Sequence, residues 1–308
     1  MAKTVAKKPS SSKIAPEEGK LTWLPKKTFT LEFSVPWSQV KKTYDHVLEH
    51  FVADAKIEGF RKGKAPRSMV EKSVDKSKIY GEVVNHLLPN SYTKAIVKHN
   101  LKPAISPKIQ IVSAEENQPW QFKATSCELP EVKLGDYQKI AKNALATDKI
   151  WTPDKGMPEK KTNPDKKDGK ASEAEKFNLV AKALIDEIKF DLPDLLVDSE
   201  RDNLLSKLLD QVQKLGLTIE QYASSAGKTV EDIKKEYQAT AKNSLKLEII
   251  LQAIADEKKL TADEKEIDKM IDTAGDEKLK KKLNTPSERA YIGSVLRKRQ
   301  VIDSLISL

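Results

Sequence analysis

Thr28-Phe29-Thr30-Leu31-Glu32-Phe33-Ser34-Val35 alternates polar and apolar residues, the period of a half-buried strand. Pro36 follows, and then Val40, Tyr44, Val47, Leu48, Phe51 and Val52 recur at spacings of three and four, the mark of a helix with one apolar face. That helix fades at Ile57-Glu58-Gly59. A short loop, Gly59-Phe60-Arg61-Lys62-Gly63-Lys64-Ala65-Pro66, leads into a second helical pattern running from Met69 to Val97. Pro66 suits its first turn, where a missing N–H costs nothing, and Pro89 is expected to kink or divide it. After Asn100 the period returns to two. Ile105, Ile109 and Ile111 read as one strand, Trp120, Phe122, Ala124 and Ser126 as another, and Glu115-Glu116-Asn117-Gln118 as the turn between them. Strand, helices and hairpin make one compact α+β unit over about residues 20–130.

Further along, the pattern changes twice. Residues 148–173 hold Pro153, Pro158 and Pro164 among Lys, Asp, Glu and Gly with no apolar periodicity, which predicts a charged linker. Beyond it everything reads as helix. Ser172…Glu175, Thr218…Gln221, Thr261…Glu264 and Thr285…Glu288 each fit the capping box, in which a hydroxyl and an acidic or amide side chain satisfy two orphan N–H groups reciprocally. Amphipathic segments are expected over about 174–190, 194–215, 229–256, 262–272 and 286–306. The fold class is therefore α+β: a small N-terminal α+β domain joined to an all-α C-terminal domain. Its divisions are a disordered basic tail at 1–19, the N-terminal domain at 20–147, the linker at 148–173 and the helical domain at 174–308.

Composition narrows the function. The 308 residues include 55 Lys+Arg and 46 Asp+Glu, a net charge of +9. Residues 1–150 hold 26 basic and 16 acidic side chains (+10), residues 151–308 hold 29 and 30 (−1), so all the excess positive charge lies in the first half. A polyanionic partner for that half follows. No apolar run approaches the roughly 18 residues of a membrane span. One cysteine, Cys127, excludes an intrachain disulfide and CxxC-type sites. The first twenty residues carry five lysines without an apolar block, unlike a secretory signal, and have no arginine, unlike an organellar transit peptide.

Catalytic patterns fail on inspection. His46-Val47-Leu48-Glu49-His50 matches H-x-x-E-H, and its histidines share a helix face. A third ligand is missing, because His86 and His99 have no ligand-like spacing to the pair, and solvent-facing histidines are the plainer reading. Gly227-Lys228-Thr229 resembles the end of a phosphate-binding loop, but Tyr222 stands where that loop needs glycine, so Thr229 reads as a helix N-cap. Cys127, alone on a strand, reads as a packing residue. No catalytic residue, cofactor or metal site is expected, and the chain reads as a non-enzyme.

The loop at 59–66 is different. Arg61, Lys62 and Lys64 crowd beside Phe60, with Gly59 and Gly63 permitting a tight exposed turn. Phe60 would either anchor a basic loop to the body or fill a partner's pocket while Arg61 and Lys62 pair with phosphates or carboxylates.

Gly59-Phe60-Arg61-Lys62-Gly63-Lys64-Ala65-Pro66, set between two helices of a small α+β unit, resembles the signature of the bacterial trigger factor family. The resemblance continues through Leu101-Lys102-Pro103 and Leu129-Pro130-Glu131-Val132. It resumes in the helical part with Phe190-Asp191-Leu192-Pro193 and Arg297-Lys298-Arg299-Gln300. It implies an ATP-independent, cytoplasmic, ribosome-associated chaperone that docks beside the polypeptide exit tunnel. By matching the motif, Phe60, Arg61 and Lys62 would contact the large subunit's RNA and proteins, with Gly59, Gly63, Lys64 and Pro66 shaping the loop. Nascent and unfolded chains would be held on the helical arms, and a homodimer off the ribosome is left open. The family inserts a prolyl-isomerase domain between these parts. Here a charged linker of about 28 residues with one aromatic, Trp151, occupies that place, below the roughly 50 residues of an ordinary domain, so no isomerase is expected. The alternative is a basic nucleic-acid-binding or ribosome-assembly factor with a helical partner-binding module.

Overall fold

A computed structural model describes residues 19–147 and 173–308. The expected basic tail, most of the linker and the cap at Ser172 lie outside the described residues. The described chain separates into two compact units, dividing between Leu129 and Pro130.

The first unit is a four-stranded antiparallel sheet, in the order β1-β2-β4-β3, with helices on one face. Its elements are β1 Lys20–Leu24, β2 Thr28–Val35, α1 Trp37–Asp54, α2 Arg67–Ser73, α3 Lys76–Lys98, β3 Lys108–Ser113 and β4 Trp120–Cys127. Register explains the core. Leu31 lies opposite Ala124, Phe33 opposite Phe122 and Val35 opposite Trp120, so apolar side chains meet on one face. Phe33 and Phe122 stack with ring centroids 5.7 Å apart. On the other face Glu32 lies opposite Lys123. Val40, Val47 and Leu48 of α1 and Ile79, Val83 and Leu87 of α3 close over the apolar face. Each such side chain contributes about 1.5–3 kcal/mol when fully buried.

The alternation over 28–35 and the hairpin turn stand as expected, Asn117 taking a left-handed φ of 62° in that turn. One reading is corrected: the second helical pattern breaks at Val74–Asp75, where the Asp75 carboxylate caps α3 by accepting from the Ser77 N–H. Helix α3 then runs on through Pro89. A further strand forms at Lys20–Leu24. By its packing, the first compact unit closes at Leu129.

The second unit opens with α4 Tyr137–Thr147. It continues with α5 Glu173–Glu187, α6 Asp194–Lys214, α7 Ile219–Ser225, α8 Val230–Glu257, α9 Glu264–Asp272, α10 Glu277–Leu283 and α11 Pro286–Ile306. Tyr137 and Ala141 of α4 pack with Val180, Leu184, Ile250, Ile254, Val301 and Leu305, which is why α4 belongs to this unit. Two smaller clusters lie apart from that core, one around Leu208, Val212, Ala223 and Ile233, the other around Ile267, Ile271 and Ile292. At 1.5 Å per residue, α8 is about 42 Å long and supplies residues to the first two clusters. Caps at Thr218 and Thr229 are reciprocal boxes. At α9 the cap is Asp263 rather than Thr261, and Thr285 makes no side-chain cap bond, leaving Pro286 to start α11. Helices α4, α7 and α10 had not been anticipated from periodicity.

Candidate functional site: the loop between the first two helices

Phe60, Arg61, Lys62, Lys64 and Pro66 are all exposed in the connection from α1 to α2, and Phe60 is 40% exposed although it is a large apolar side chain. An aromatic serving only to anchor the loop would be covered. The backbone explains the tip. Gly59 and Gly63 take φ of 85° and 76°, a region that side-chain-bearing residues rarely occupy. The Phe60 N–H donates to the Ile57 carbonyl (3.0 Å) and the Lys64 N–H to the Arg61 carbonyl (2.9 Å), closing two turns in succession. Gly63 donates to the Ala55 carbonyl at 3.3 Å, tying the loop back to the end of α1. A Cβ at Gly63 would lie 2.8 Å from the Ala53 carbonyl oxygen, so the loop crosses the helix end too closely for any larger residue. Ala65 is buried beneath the turn.

Ion pairs brace this tip. Lys62 Nζ lies 2.9 Å from Asp54 Oδ1, the last residue of α1, and that contact holds the Asp54 carboxyl below its ordinary range. Arg67, at the start of α2, pairs with Asp45 of α1, and the Tyr44 hydroxyl donates to Glu71 at 2.8 Å, pinning α2 to α1. Burial and that carboxylate raise the Tyr44 hydroxyl well above its ordinary pKa. Arg61 and Lys64 remain outward beside Phe60. Six of the seven candidate residues are thus exposed along one loop, and Gly63 is half-buried where it crosses the end of α1. Their braces, Asp54 and Asp45, were not singled out from the sequence, because nothing local marks which acidic residues of a charged helix will face the loop.

The other candidates resolve as follows. Cys127 is buried, and burial raises its thiol to about 11. His46 and His50 are exposed, with ring centroids 4.8 Å apart. Packing of α3 on α1 brings the His86 ring to 6.4 Å from that of His46. Thr229 is the N-cap expected in place of a phosphate loop.

In the helical unit, Leu215 and Tyr291 are 73% and 65% exposed, and Leu209, Leu217, Val230 and Val295 are also on the surface. A groove of about 850 Å³ lies between the end of α8, α9 and α11, with Leu260, Ala262, Ile267 and Ala290 on its floor and Arg289 and Arg297 at its sides. Among the described residues no helix is long and apolar enough to cross a membrane.

Residues 20–149 match the family model described as bacterial trigger factor protein, and residues 160–307 match the model of its C-terminus. A trigger factor of Pelotomaculum thermopropionicum is 37% identical over 115 residues, covering 37% of this chain and 26% of that protein. One from Streptococcus pneumoniae (strain 70585) is 29% identical over 280 residues, 86% of this chain and 64% of the relative. These matches thus span between about a quarter and two thirds of the relatives' lengths. A solved chain from work on promiscuous substrate recognition in folding and assembly by the trigger factor chaperone superposes with a TM-score of 0.59. It covers 94% of this chain and 99% of that one at 11% identity, a likeness of fold.

Proposed function

The chain belongs to the bacterial trigger factor family, and from that premise we propose that it is an ATP-independent chaperone of the cytoplasm that docks on the ribosome through its 59–66 loop and holds nascent or unfolded chains on its helical unit. The observation that carries this reading is the exposed Phe60 flanked by outward cations on a glycine-shaped tip. An aromatic presented this way gains about 25 cal/mol for each Å² it buries in a partner's pocket, while Arg61, Lys62 and Lys64 meet the phosphates and carboxylates of an anionic surface. The charge of +10 over residues 1–150 supports the same partner. On the helical unit, separated apolar side chains and a shallow groove suit weak contacts with many extended chains. In this reading the segment between the two family matches supplies no isomerase, and the protein is not an enzyme.

The holding activity is tested by diluting a chemically denatured, unrelated protein into buffer with the full chain and no nucleotide, and following light scattering. Suppression at near-stoichiometric ratios is expected, with no acceleration of a proline-limited refolding reaction. Undiminished aggregation would leave a basic ribosome-assembly or nucleic-acid-binding factor as the better account.

A further inference from the structure

Three of the chain's four histidines are exposed on α1 and α3 of the first unit, with His86 near His46. His46 and His50 stand one helical turn apart on α1, the spacing that puts two side chains on one face. His86 lies on α3. The fourth, His99, is occupied elsewhere, its Nε2 lying 3.2 Å from the Gly19 carbonyl oxygen.

The ring separations can be compared with what a metal requires. With a metal–nitrogen bond of about 2.0–2.1 Å and tetrahedral angles, the centroids of two ligating imidazoles stand about 5 Å apart. His46 and His50, at 4.8 Å, already meet that spacing. His86, at 6.4 Å from His46, is about 1 Å or more too far, a gap within reach of a rotamer change in an exposed side chain. Among the described residues no group of three His, Cys, Asp or Glu side chains is placed to hold a metal ion, so a site here requires the exposed imidazoles to turn towards a common point and His86 to move in.

We propose that His46 and His50 chelate a late first-row divalent cation, Zn²⁺, Ni²⁺ or Cu²⁺, and that His86 swings in from α3 to complete the protein's share of the shell. Neutral imidazole is the ligand these ions favour, whereas Mg²⁺ and Ca²⁺ prefer carboxylate and carbonyl oxygen. The bound ion clamps α1 to α3, the two helices that cover the sheet. It is a binding site and not a hydrolytic one, and it stands independently of the chaperone reading.

Isothermal titration of the full chain with zinc chloride, and separately with nickel chloride, tests the site, with magnesium chloride as the control. The wild type is expected to bind one zinc or nickel ion per chain with a rise in melting temperature of the first unit, and no magnesium. Loss of even an outer-shell partner weakens metal sites about 10–100-fold. His86→Ala should therefore bind at least about tenfold more weakly, and His46→Ala/His50→Ala should lose the site. All three side chains are exposed, so unchanged far-ultraviolet circular dichroism is expected. Equal zinc uptake by the wild type and the double variant would overturn the site, and unchanged affinity in His86→Ala would overturn the bridge to α3.

Discussion

Replacing Gly63 with alanine separates two costs that the structure assigns to the loop. A left-handed backbone costs an ordinary residue about 1–2 kcal/mol, and Gly63 has φ of 76°. The added Cβ would also stand 2.8 Å from the Ala53 carbonyl oxygen, a backbone atom that cannot rotate away. Gly59 supplies the control. Its φ is 85°, yet nothing lies within 4 Å of a Cβ built there, so Gly59→Ala bears the conformational cost alone. We expect Gly59→Ala to destabilise the first unit by about 1 kcal/mol and Gly63→Ala by about 2–3 kcal/mol, the excess coming from the displaced end of α1. Urea titration followed by tryptophan fluorescence reads this unit once Trp151 is replaced by Phe in every protein compared, because the other three of the four tryptophans, Trp23, Trp37 and Trp120, belong to it. If the two variants unfold at the same urea concentration, the close approach to Ala53 does not constrain the loop and the reasoning about its shape fails.

Three further outcomes follow from the same geometry. Asp54→Ala should leave the urea midpoint essentially unchanged, because its pair with Lys62 is exposed and solvent-screened. The freed Lys62 should tighten ribosome binding at low salt and steepen its salt dependence, as pelleting across a potassium chloride series would report. Cys127, raised to about 11 from an ordinary 9.0 by burial, should react with iodoacetamide at pH 8 about a hundredfold more slowly than an open thiol. Because its folded pKa is the higher one, the stability it contributes is intact below about pH 9 and lost as pH rises towards 11, a loss absent in Cys127→Ala. Phe122→Ala, in the centre of the sheet's apolar face, should cost about 3–5 kcal/mol. Fluorescence should then report an unfolded first unit, while circular dichroism retains the signal of the helical one.

What could be read from the sequence follows physical range. The period-two run at 28–35 puts Phe29, Leu31, Phe33 and Val35 on one apolar layer, so the strand forms as read, although Thr30 and Ser34 of the other set are buried as well. The limits of α6, α8 and α11 fall within a residue or two of expectation because proline and threonine caps punctuate them locally. Pro89 does not divide α3, since Ile79, Val83 and Leu87 before it and Ala95 after it anchor the helix to the same core, and tertiary burial outweighs one missing hydrogen bond. Helix α4 carries a helical apolar spacing in Tyr137, Ile140, Ala141 and Leu145, but most of the core it joins is supplied by residues from Val180 onward. The candidate site divides the same way. Gly59, Phe60, Gly63 and the cations were visible as a cluster, because a tight basic turn is written in consecutive residues. The brace from Asp54 to Lys62, and the approach of His86 to His46, depend on which helix faces meet.

The central claim is that the 59–66 loop is the address for the ribosome, and pelleting with purified 70S ribosomes tests it most directly. Wild type should bind saturably, with affinity falling as salt rises, and a folded Phe60→Ala/Arg61→Ala/Lys62→Ala variant should remain in the supernatant at every salt concentration. Equal pelleting of both proteins, with the same steep salt dependence, would make the basic half a general polyanion binder and contradict the account.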